Sequence, residues 1–180
     1  DVAPSRGLGD VYKRQDLDGT LIETTSGDTF PKGVWDMRIK FDVFDAIKNY
    51  APDDIVIISN QGGIEKIFVN REMFEDKLNY VSSALADYTD ASIYNYYCDS
   101  NDKDNINRKP NTGMIDQFMD YVKFTNDNVD EENKIVYDTI LMIGDASGKE
   151  GQFSDSDKKT AENFGCEYMD VDDFVDKYKG

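Results

Sequence analysis

The chain has 180 residues, of which 39% are hydrophobic, so it can bury one core and its length favours a single domain. Its formal net charge is −17, from 37 acidic and 20 basic residues, and this charge repels polyanions such as nucleic acids at long range. Cys98 and Cys166 lack the spacing of a disulfide framework or a zinc site. Histidine is absent, so acid/base chemistry would fall to carboxylates, lysine or tyrosine.

The same composition predicts where the protein works. No apolar run is long enough to span a bilayer, and the N-terminus lacks the apolar core of a signal peptide. We therefore expect an intracellular protein (cytoplasmic, or nuclear if the source is eukaryotic) with no membrane association. We also expect a monomer.

The first fifteen residues do not fit the rest of the chain. A strand should lead into Asp16, yet only Val11 and Tyr12 precede the polar triplet at residues 13–15 (KRQ). The string SRGLGDVYKRQ at residues 5–15 resembles the conceptual translation of sequencing-adapter DNA. We therefore expect residues 1–15 to be non-native sequence and residues 16–180 to form the functional domain. The alternative is a short, polar start to a native strand.

Apolar runs then alternate with helical patterns along the chain. Strands are predicted at residues 55–58 (IVII), 92–98 and 139–143 (TILMI), and helices at residues 71–88 and 112–124. Short apolar runs that end in polar loop residues, with helices between them, are typical of a parallel sheet with crossover helices. The predicted fold class is α/β.

The segment DLDGTL at residues 16–21 places two carboxylates two residues apart, followed by a glycine that permits a sharp turn. At the end of a strand, Asp16 and Asp18 would point the same way. One carboxylate of such a pair can attack phosphorus while the other protonates the leaving oxygen and later activates water. A solvated turn is the alternative interpretation of an Asp-x-Asp pair in so acidic a chain.

Other polar residues follow or flank the later strands. Asp145 comes after the strand at 139–143, and three carboxylates at Asp16, Asp18 and Asp145 would suit Mg²⁺, a hard cation that prefers oxygen ligands. Ser59 and Asn60 could donate to a phosphate, and Lys109 could neutralise its charge. These positions agree with the rule that open α/β sheets bind ligands at the carboxyl ends of their strands. For Lys109 alone, a solvated surface lysine is the alternative.

The order of these motifs resembles the haloacid dehalogenase superfamily of phosphotransferases. Four stretches are similar to the phosphatase domain of the polynucleotide kinase 3′-phosphatase family: residues 16–31 (DLDGTLIETTSGDTFP), 58–64 (ISNQGGI), 108–114 (RKPNTGM) and 144–165 (GDASGKEGQFSDSDKKTAENFG). The resemblance implies a Rossmann-like three-layer sandwich with a central parallel sheet and a minimal cap domain or none. Gln152 departs from the family, which often has Asp at that position.

The resemblance also implies roles for individual residues. Asp16 would be the nucleophile and Asp18 the general acid/base. Mg²⁺ would be held by Asp16, Asp145 and the main-chain carbonyl of Asp18. The phosphate would be bound by Ser59 and Lys109, and Asp157 would support the metal site.

The implied substrate is a nucleic acid with a 3′-phosphate end, which the acidic charge makes unexpected. A terminus needs only a few nucleotides in a narrow cleft, so a local basic cluster can suffice. The basic candidates are Lys32, Arg38, Lys40, Lys66, Arg71 and Arg108. Tyr94, Tyr96 and Tyr97 could stack on bases, although packing within a strand is the simpler interpretation.

Two alternatives stay open at this stage. The first is a small-molecule phosphatase of the same superfamily, acting on a sugar bisphosphate or histidinol phosphate. The second is a catalytically inactive binding module, which the intact acidic motifs argue against. The sequence contains no GxxxxGK[ST] loop, so no 5′-kinase activity is expected from these residues.

Overall fold

The computed structural model describes the backbone of residues 11–15 and the whole of residues 17–27, 31, 33–66, 69–152 and 154–180. In chain order the elements are β1 (Val11–Gln15), β2 (Ile22–Thr24), β3 (Met37–Ile39), α1 (Phe41–Tyr50), β4 (Asp54–Asn60), α2 (Gly62–Glu65), α3 (Arg71–Thr89), β5 (Ser92–Cys98), α4 (Gly113–Asn126), β6 (Thr139–Gly144), α5 (Ser156–Phe164), β7 (Glu167–Asp170) and α6 (Val171–Tyr178). Short 3₁₀ helices occur at Val34–Asp36 and Glu131–Asn133.

Five parallel strands form the central sheet, in the order β5-β4-β1-β6-β7. The chain moves outward from β1 to β4 and β5, and then crosses back to β6 and β7. The order therefore reverses beside β1, and ligands of open parallel sheets bind at such a point, outside the carboxyl ends of the strands. The antiparallel pair β2 and β3 follows directly on the carboxyl end of β1.

Apolar side chains alternate between the two faces of the sheet. In β4, Ile55 and Ile57 pack into one core cluster, whereas Val56 and Ile58 pack into a second. The first cluster includes residues of α1, α3 and α6, and the second includes residues of α4 and α5. Helices thus cover both faces, which confirms the predicted α/β three-layer sandwich.

The predicted elements agree with the observed ones. The strand predicted at residues 92–98 matches β5, and those at 55–58 and 139–143 lie within β4 and β6. The helices predicted at 71–88 and 112–124 correspond to α3 and α4. Across the described residues, no helix combines the length and the apolar character that a membrane span requires.

Strand β1 occupies the centre of the sheet, paired with β4 on one side and β6 on the other. Gln15 lies beside Ile57 and Ile143, so β1 ends close to the end of β6 and a few residues before the end of β4. Residues 1–10 lie outside the described residues. The non-native origin of residues 1–15 stays a prediction, and the position of β1 provides a way to test it.

Replacing Lys13 and Arg14 with valine should stabilise the protein. A central strand of a parallel sheet is normally apolar on both faces, and burying one aliphatic side chain contributes about 1.5–3 kcal/mol. We expect a higher thermal midpoint and a larger free energy of unfolding in urea. Glu167→Val, on the exposed side of β7, is the matched control and should change little. An unchanged or lower midpoint for Lys13→Val/Arg14→Val would argue that the polar strand is native.

Candidate active site

The loop after β1 directs Asp18 into the protein, at the carboxyl edge of the sheet. Asp18 is 9% exposed, and both of its carboxylate oxygens accept hydrogen bonds. Lys77 Nζ donates to Oδ1 at 2.7 Å, and Gln61 Nε2 donates to Oδ2 at 2.8 Å. Gln61 Nε2 also lies 2.8 Å from Ser59 Oγ. The solvated-turn interpretation is therefore wrong for Asp18, and two of the predicted site residues, Asp18 and Ser59, share one amide as their neighbour.

Lys77, like Gln61, is a site residue that sequence reasoning missed. It lies on α3 with only 3% of its surface exposed, and its ammonium group also approaches the ring of Phe74 at 5.4 Å. A signal was present, because Lys77 falls between Phe74, Leu78 and Val81 on the apolar stripe of the helix. A lysine at such a position needs a buried anion, and here that anion is Asp18.

Gly19 brings Asp145 close to the loop that carries Asp18. Gly19 has φ +85°, which favours glycine, and a Cβ there would lie 2.0 Å from Asp145 Oδ2. The Asp145 carboxylate therefore occupies the space that a side chain at position 19 would fill. Lys40 Nζ donates a hydrogen bond to the carbonyl oxygen of Gly19 at 3.0 Å, and this bond stabilises the same turn.

Lys109 forms the second buried ion pair of the site. Its Nζ lies 2.8 Å from Asp157 Oδ1, and the two side chains are 2% and 0% exposed. Asp157 Oδ2 accepts a hydrogen bond from the backbone N–H of Ala146, next to Asp145. The interpretation of Lys109 as a surface lysine is wrong. Asp157 instead connects Lys109 to the loop that carries Asp145.

Asn60 braces the loop that carries Lys109. Its side-chain amide donates to the Lys109 carbonyl oxygen at 3.1 Å, and its side-chain oxygen accepts from the Lys109 backbone N–H at 2.9 Å. These bonds tie the end of β4 to the approach to α4. The described contacts of Asn60 thus position Lys109, whereas its predicted contact with phosphate stays a prediction.

A polar network fixes the loop that follows Asp145. Asp170 is 3% exposed and accepts hydrogen bonds from Ser147 Oγ at 2.8 Å and Gln152 Nε2 at 2.6 Å. Burial acts to raise the pKa of Asp170, but hydrogen bonds from Gln152, Ser147 and Lys149 outweigh it and hold that pKa below its ordinary value. Gln152, the departure from the family pattern, therefore has a structural role in this loop.

Several of the residues proposed to contact nucleic acid are engaged by other groups of this chain. Arg38 pairs with Glu23, and Arg71 pairs with Asp99. Tyr94 packs against Phe118 with ring centroids 4.9 Å apart, which supports the strand-packing interpretation for this tyrosine. Arg108 donates to a backbone carbonyl at 2.8 Å, and Lys32 lies outside the described residues.

Asp16 lies outside the described residues, so its position beside Asp18 and Asp145 stays a prediction. No group of three or more acidic, cysteine or histidine side chains with metal-binding spacing occurs in the part of the chain that is described. The structure does bring together two sets of predicted residues, Asp18 with Ser59 and Lys109 with Asp157. Asp145 connects to the first set through Gly19 and to the second through Ala146.

Comparison with known sequences identifies a family over most of the chain. The family model described as polynucleotide kinase 3 phosphatase matches residues 13–175. The bifunctional polynucleotide phosphatase/kinase of Schizosaccharomyces pombe (strain 972 / ATCC 24843) is 33% identical over 162 residues, which cover 88% of this chain and 36% of that protein. An uncharacterized 20.8 kDa protein of Autographa californica nuclear polyhedrosis virus is 27% identical over 167 residues, or 89% of this chain and 82% of the viral protein. The chain thus spans about a third of the length of the yeast relative.

Solved structures share the fold at low sequence identity. A HAD-like phosphatase from Mesorhizobium loti has a TM-score of 0.57 and 17% identity, with 88% of this chain and 70% of that chain covered. The D,D-heptose 1,7-bisphosphate phosphatase from B. bronchiseptica, complexed with magnesium and phosphate, has a TM-score of 0.56 and 16% identity, with 92% and 96% covered. The expected haloacid dehalogenase-like fold is confirmed.

A double-mutant cycle should show strong coupling between Lys109 and Asp157. Breaking a buried ion pair by removing one partner costs about 3–5 kcal/mol, because the other charge stays buried. We expect Lys109→Met to lower the free energy of unfolding by that order. Combining it with Asp157→Asn should cost less than the sum of the two single changes.

The control cycle uses Lys159 and Asp155, which pair at a similar distance of 2.7 Å but are 55% and 48% exposed. Exposed pairs contribute little to stability, because water and salt screen both charges. Urea unfolding of both sets measures the coupling. Additive effects at Lys109 and Asp157 would contradict the buried pair.

Proposed function

This chain belongs to the polynucleotide kinase 3 phosphatase family and is a phosphatase with the HAD-like fold, and from that premise we propose that it removes 3′-phosphates from DNA ends. The observation that carries the proposal is the extent of the family match, from residue 13 in β1 to residue 175 in α6. The name of the yeast relative supports the same substrate class. Only the phosphatase activity is proposed for these 180 residues.

The proposed reaction proceeds in two displacements. A carboxylate oxygen of Asp16 bonds to phosphorus while the bond from phosphorus to the 3′-oxygen breaks, and Asp18, which in this proposal carries a proton when the substrate binds, gives that proton to the oxygen. Asp18 then takes a proton from water as the water oxygen attacks phosphorus, and the bond to Asp16 breaks. Inorganic phosphate leaves, and both carboxylates return to their starting state. The repaired end carries a 3′-hydroxyl.

Lys109 and Ser59 are proposed to hold the phosphate during both displacements. Lys109 is oriented by Asp157 and by the brace from Asn60, so its ammonium group has a fixed position. Ser59 lies at the end of β4 and shares Gln61 with Asp18. A fixed cation and a fixed hydroxyl stabilise charge on the phosphoryl oxygens without having to reorganise during the reaction.

The residues present fit a magnesium ion. The Asp145 carboxylate lies against Gly19, next to Asp18 in the chain, and carboxylate oxygens are the ligands that Mg²⁺ prefers. We propose that Asp16, Asp145 and the main-chain carbonyl of Asp18 hold this ion, with Asp157 in support. When bound, Mg²⁺ would neutralise charge on the phosphate and allow the carboxylate of Asp16 to approach it.

Phosphate release from four substrates tests the proposal. The substrates are an oligonucleotide with a 3′-phosphate, the same oligonucleotide with a 5′-phosphate, a sugar bisphosphate and histidinol phosphate, each with Mg²⁺ and with a chelator. We expect the 3′-phosphate to be hydrolysed much faster than the other three substrates. This activity should be lost with the chelator, because the carboxylates need the cation. Preference for a small molecule would instead assign the protein to the alternative phosphatase class.

Variants of the two catalytic carboxylates are the controls for that assay. Asp16→Asn should abolish turnover and Asp18→Asn should nearly abolish it, with circular dichroism unchanged. Full activity of Asp16→Asn would contradict the mechanism.

Lys77 is proposed to position Asp18 for proton transfer. The effect of removing Lys77 on the rate of hydrolysis should therefore depend on the leaving group. A well-placed general acid contributes about 10²–10⁴-fold when the leaving oxygen is a poor one, such as a sugar hydroxyl. An aryl phosphate with an acidic leaving group needs no such proton. We expect Lys77→Met to slow hydrolysis of the 3′-phosphate much more than hydrolysis of the aryl phosphate.

Lys123→Met, an exposed change on α4, is the matched control and should affect neither substrate. Steady-state kinetics on both substrates provide the measurement. An equal loss on the two substrates would mean that Lys77 only supports the fold.

A further inference from the structure

Trp35 is an exposed aromatic residue near the candidate site. It is the only tryptophan of the chain, and 69% of its surface is exposed. Tryptophan is highly buried on average, although single exposed apolar residues are common in proteins. What distinguishes Trp35 is how firmly it is held and where it lies.

The backbone that carries Trp35 is fixed by its neighbour Asp36. Asp36 is 1% exposed, and its Oδ1 accepts hydrogen bonds from the Ser26 backbone N–H at 2.9 Å and from Thr25 Oγ1 at 3.2 Å. The Thr25 backbone N–H donates to the Asp36 carbonyl oxygen at 3.1 Å. The indole is therefore presented to solvent from an anchored turn, which lowers the entropy lost when it binds a flat partner.

Trp35 lies at the same edge of the sheet as the candidate site. A Cβ on Gly33 would lie 3.0 Å from Trp35 Nε1 and 3.0 Å from Met73 Cε, so the indole and the Met73 methyl group flank Gly33. Met73 is in the first turn of α3, one turn before Lys77, and Lys77 contacts Asp18. The indole of Trp35 thus lies beside the first turn of the helix that carries Lys77.

Charge alone accounts poorly for binding of a DNA strand to this chain. The net charge is −17, and the exposed candidates Arg38 and Arg71 are paired with acidic residues. Stacking of bases on aromatic side chains does not depend on neutralising the backbone. One stacked base contributes about 5-fold to 100-fold in affinity.

We propose that Trp35 stacks on a nucleobase of the strand whose 3′-phosphate enters the site, with Met73 packed beside it. This inference rests on the proposed function and deepens it. The strand is recognised through the flat face of a base near its end, and sequence matters little because every base has such a face. Binding should accordingly vary less with salt than binding through many phosphate contacts.

Intrinsic fluorescence tests the contact directly, because Trp35 is the only tryptophan. The full chain is titrated with a short single-stranded oligonucleotide that ends in a 3′-hydroxyl, which is the proposed product and is not turned over. A matched oligonucleotide carries abasic sites at its last three positions and has the same backbone charge. We expect saturable quenching with the first and little with the second. No quenching, or equal quenching by both, would overturn the proposal.

Kinetics with Trp35→Ala provide a second, independent readout. The ratio of kcat/KM for the 3′-phosphorylated oligonucleotide to kcat/KM for an aryl phosphate should fall by about 5-fold to 100-fold, mainly through KM. Trp35→Phe should recover part of the loss. Phe124→Ala removes another exposed aromatic, 68% exposed near the C-terminal end of α4 and so at the opposite edge of the sheet, and should keep the wild-type ratio.

The outcomes separate this inference from the proposed function. If the wild type prefers the oligonucleotide and Trp35→Ala keeps the same ratio, the stacking surface is overturned and the 3′-phosphatase proposal stands. If the wild type prefers a small phosphate ester, both are overturned. A loss in Trp35→Ala that is equal on both substrates would assign Trp35 a structural role and would also overturn the stacking surface.

Discussion

Two buried lysine–aspartate pairs at the carboxyl edge of the sheet are the constraint on which the site depends. Lys77 holds Asp18 and Lys109 holds Asp157, and all four residues are less than 10% exposed. A charge that loses its partner in such a place costs several kcal/mol. Each pair is therefore stable only while the elements that carry its two members stay docked. The pair of Lys77 and Asp18 joins α3 to the loop after β1, and the pair of Lys109 and Asp157 joins the segment before α4 to α5. A change that separates either pair therefore disturbs the fold and the site together.

The same pairs limit the net charge at the site of an acidic protein. Asp18 and Asp157 offset the charges of Lys77 and Lys109, so the two pairs add no net charge at the sheet edge of a chain whose net charge is −17. Exposed charges are screened within about 8 Å at physiological ionic strength, so distant carboxylates contribute little repulsion at the site. A terminal phosphate would then meet Lys109 and the proposed Mg²⁺, and the next nucleotides would meet the anchored indole of Trp35. Stacking would take the place of an extended basic groove.

The sequence predicted most of the fold because its signals there are local. The β-branched run at 55–58 and the run at 139–143 lie within β4 and β6, and both end at the polar residues of the site. The pairing of Lys109 with Asp157 could not be predicted, because 48 residues separate them and a lone lysine before a helix is usually exposed. Lys77 was also missed because its partner, Asp18, is distant in the sequence. Its place on the apolar stripe of α3 was nevertheless a usable signal. The polar composition of β1 conflicts with its central position, and this conflict is not resolved by any local pattern.

Locating the transferred phosphoryl group tests the central claim most directly. The protein is mixed in excess with an oligonucleotide that carries a radioactive 3′-phosphate, quenched in acid during a single turnover, and digested for peptide mapping. The account predicts transient, base-labile label on the peptide that contains Asp16, with slower loss of that label in Asp18→Asn. Label on any other peptide, or inorganic phosphate released at the full rate with no protein-bound label at any time, would contradict it.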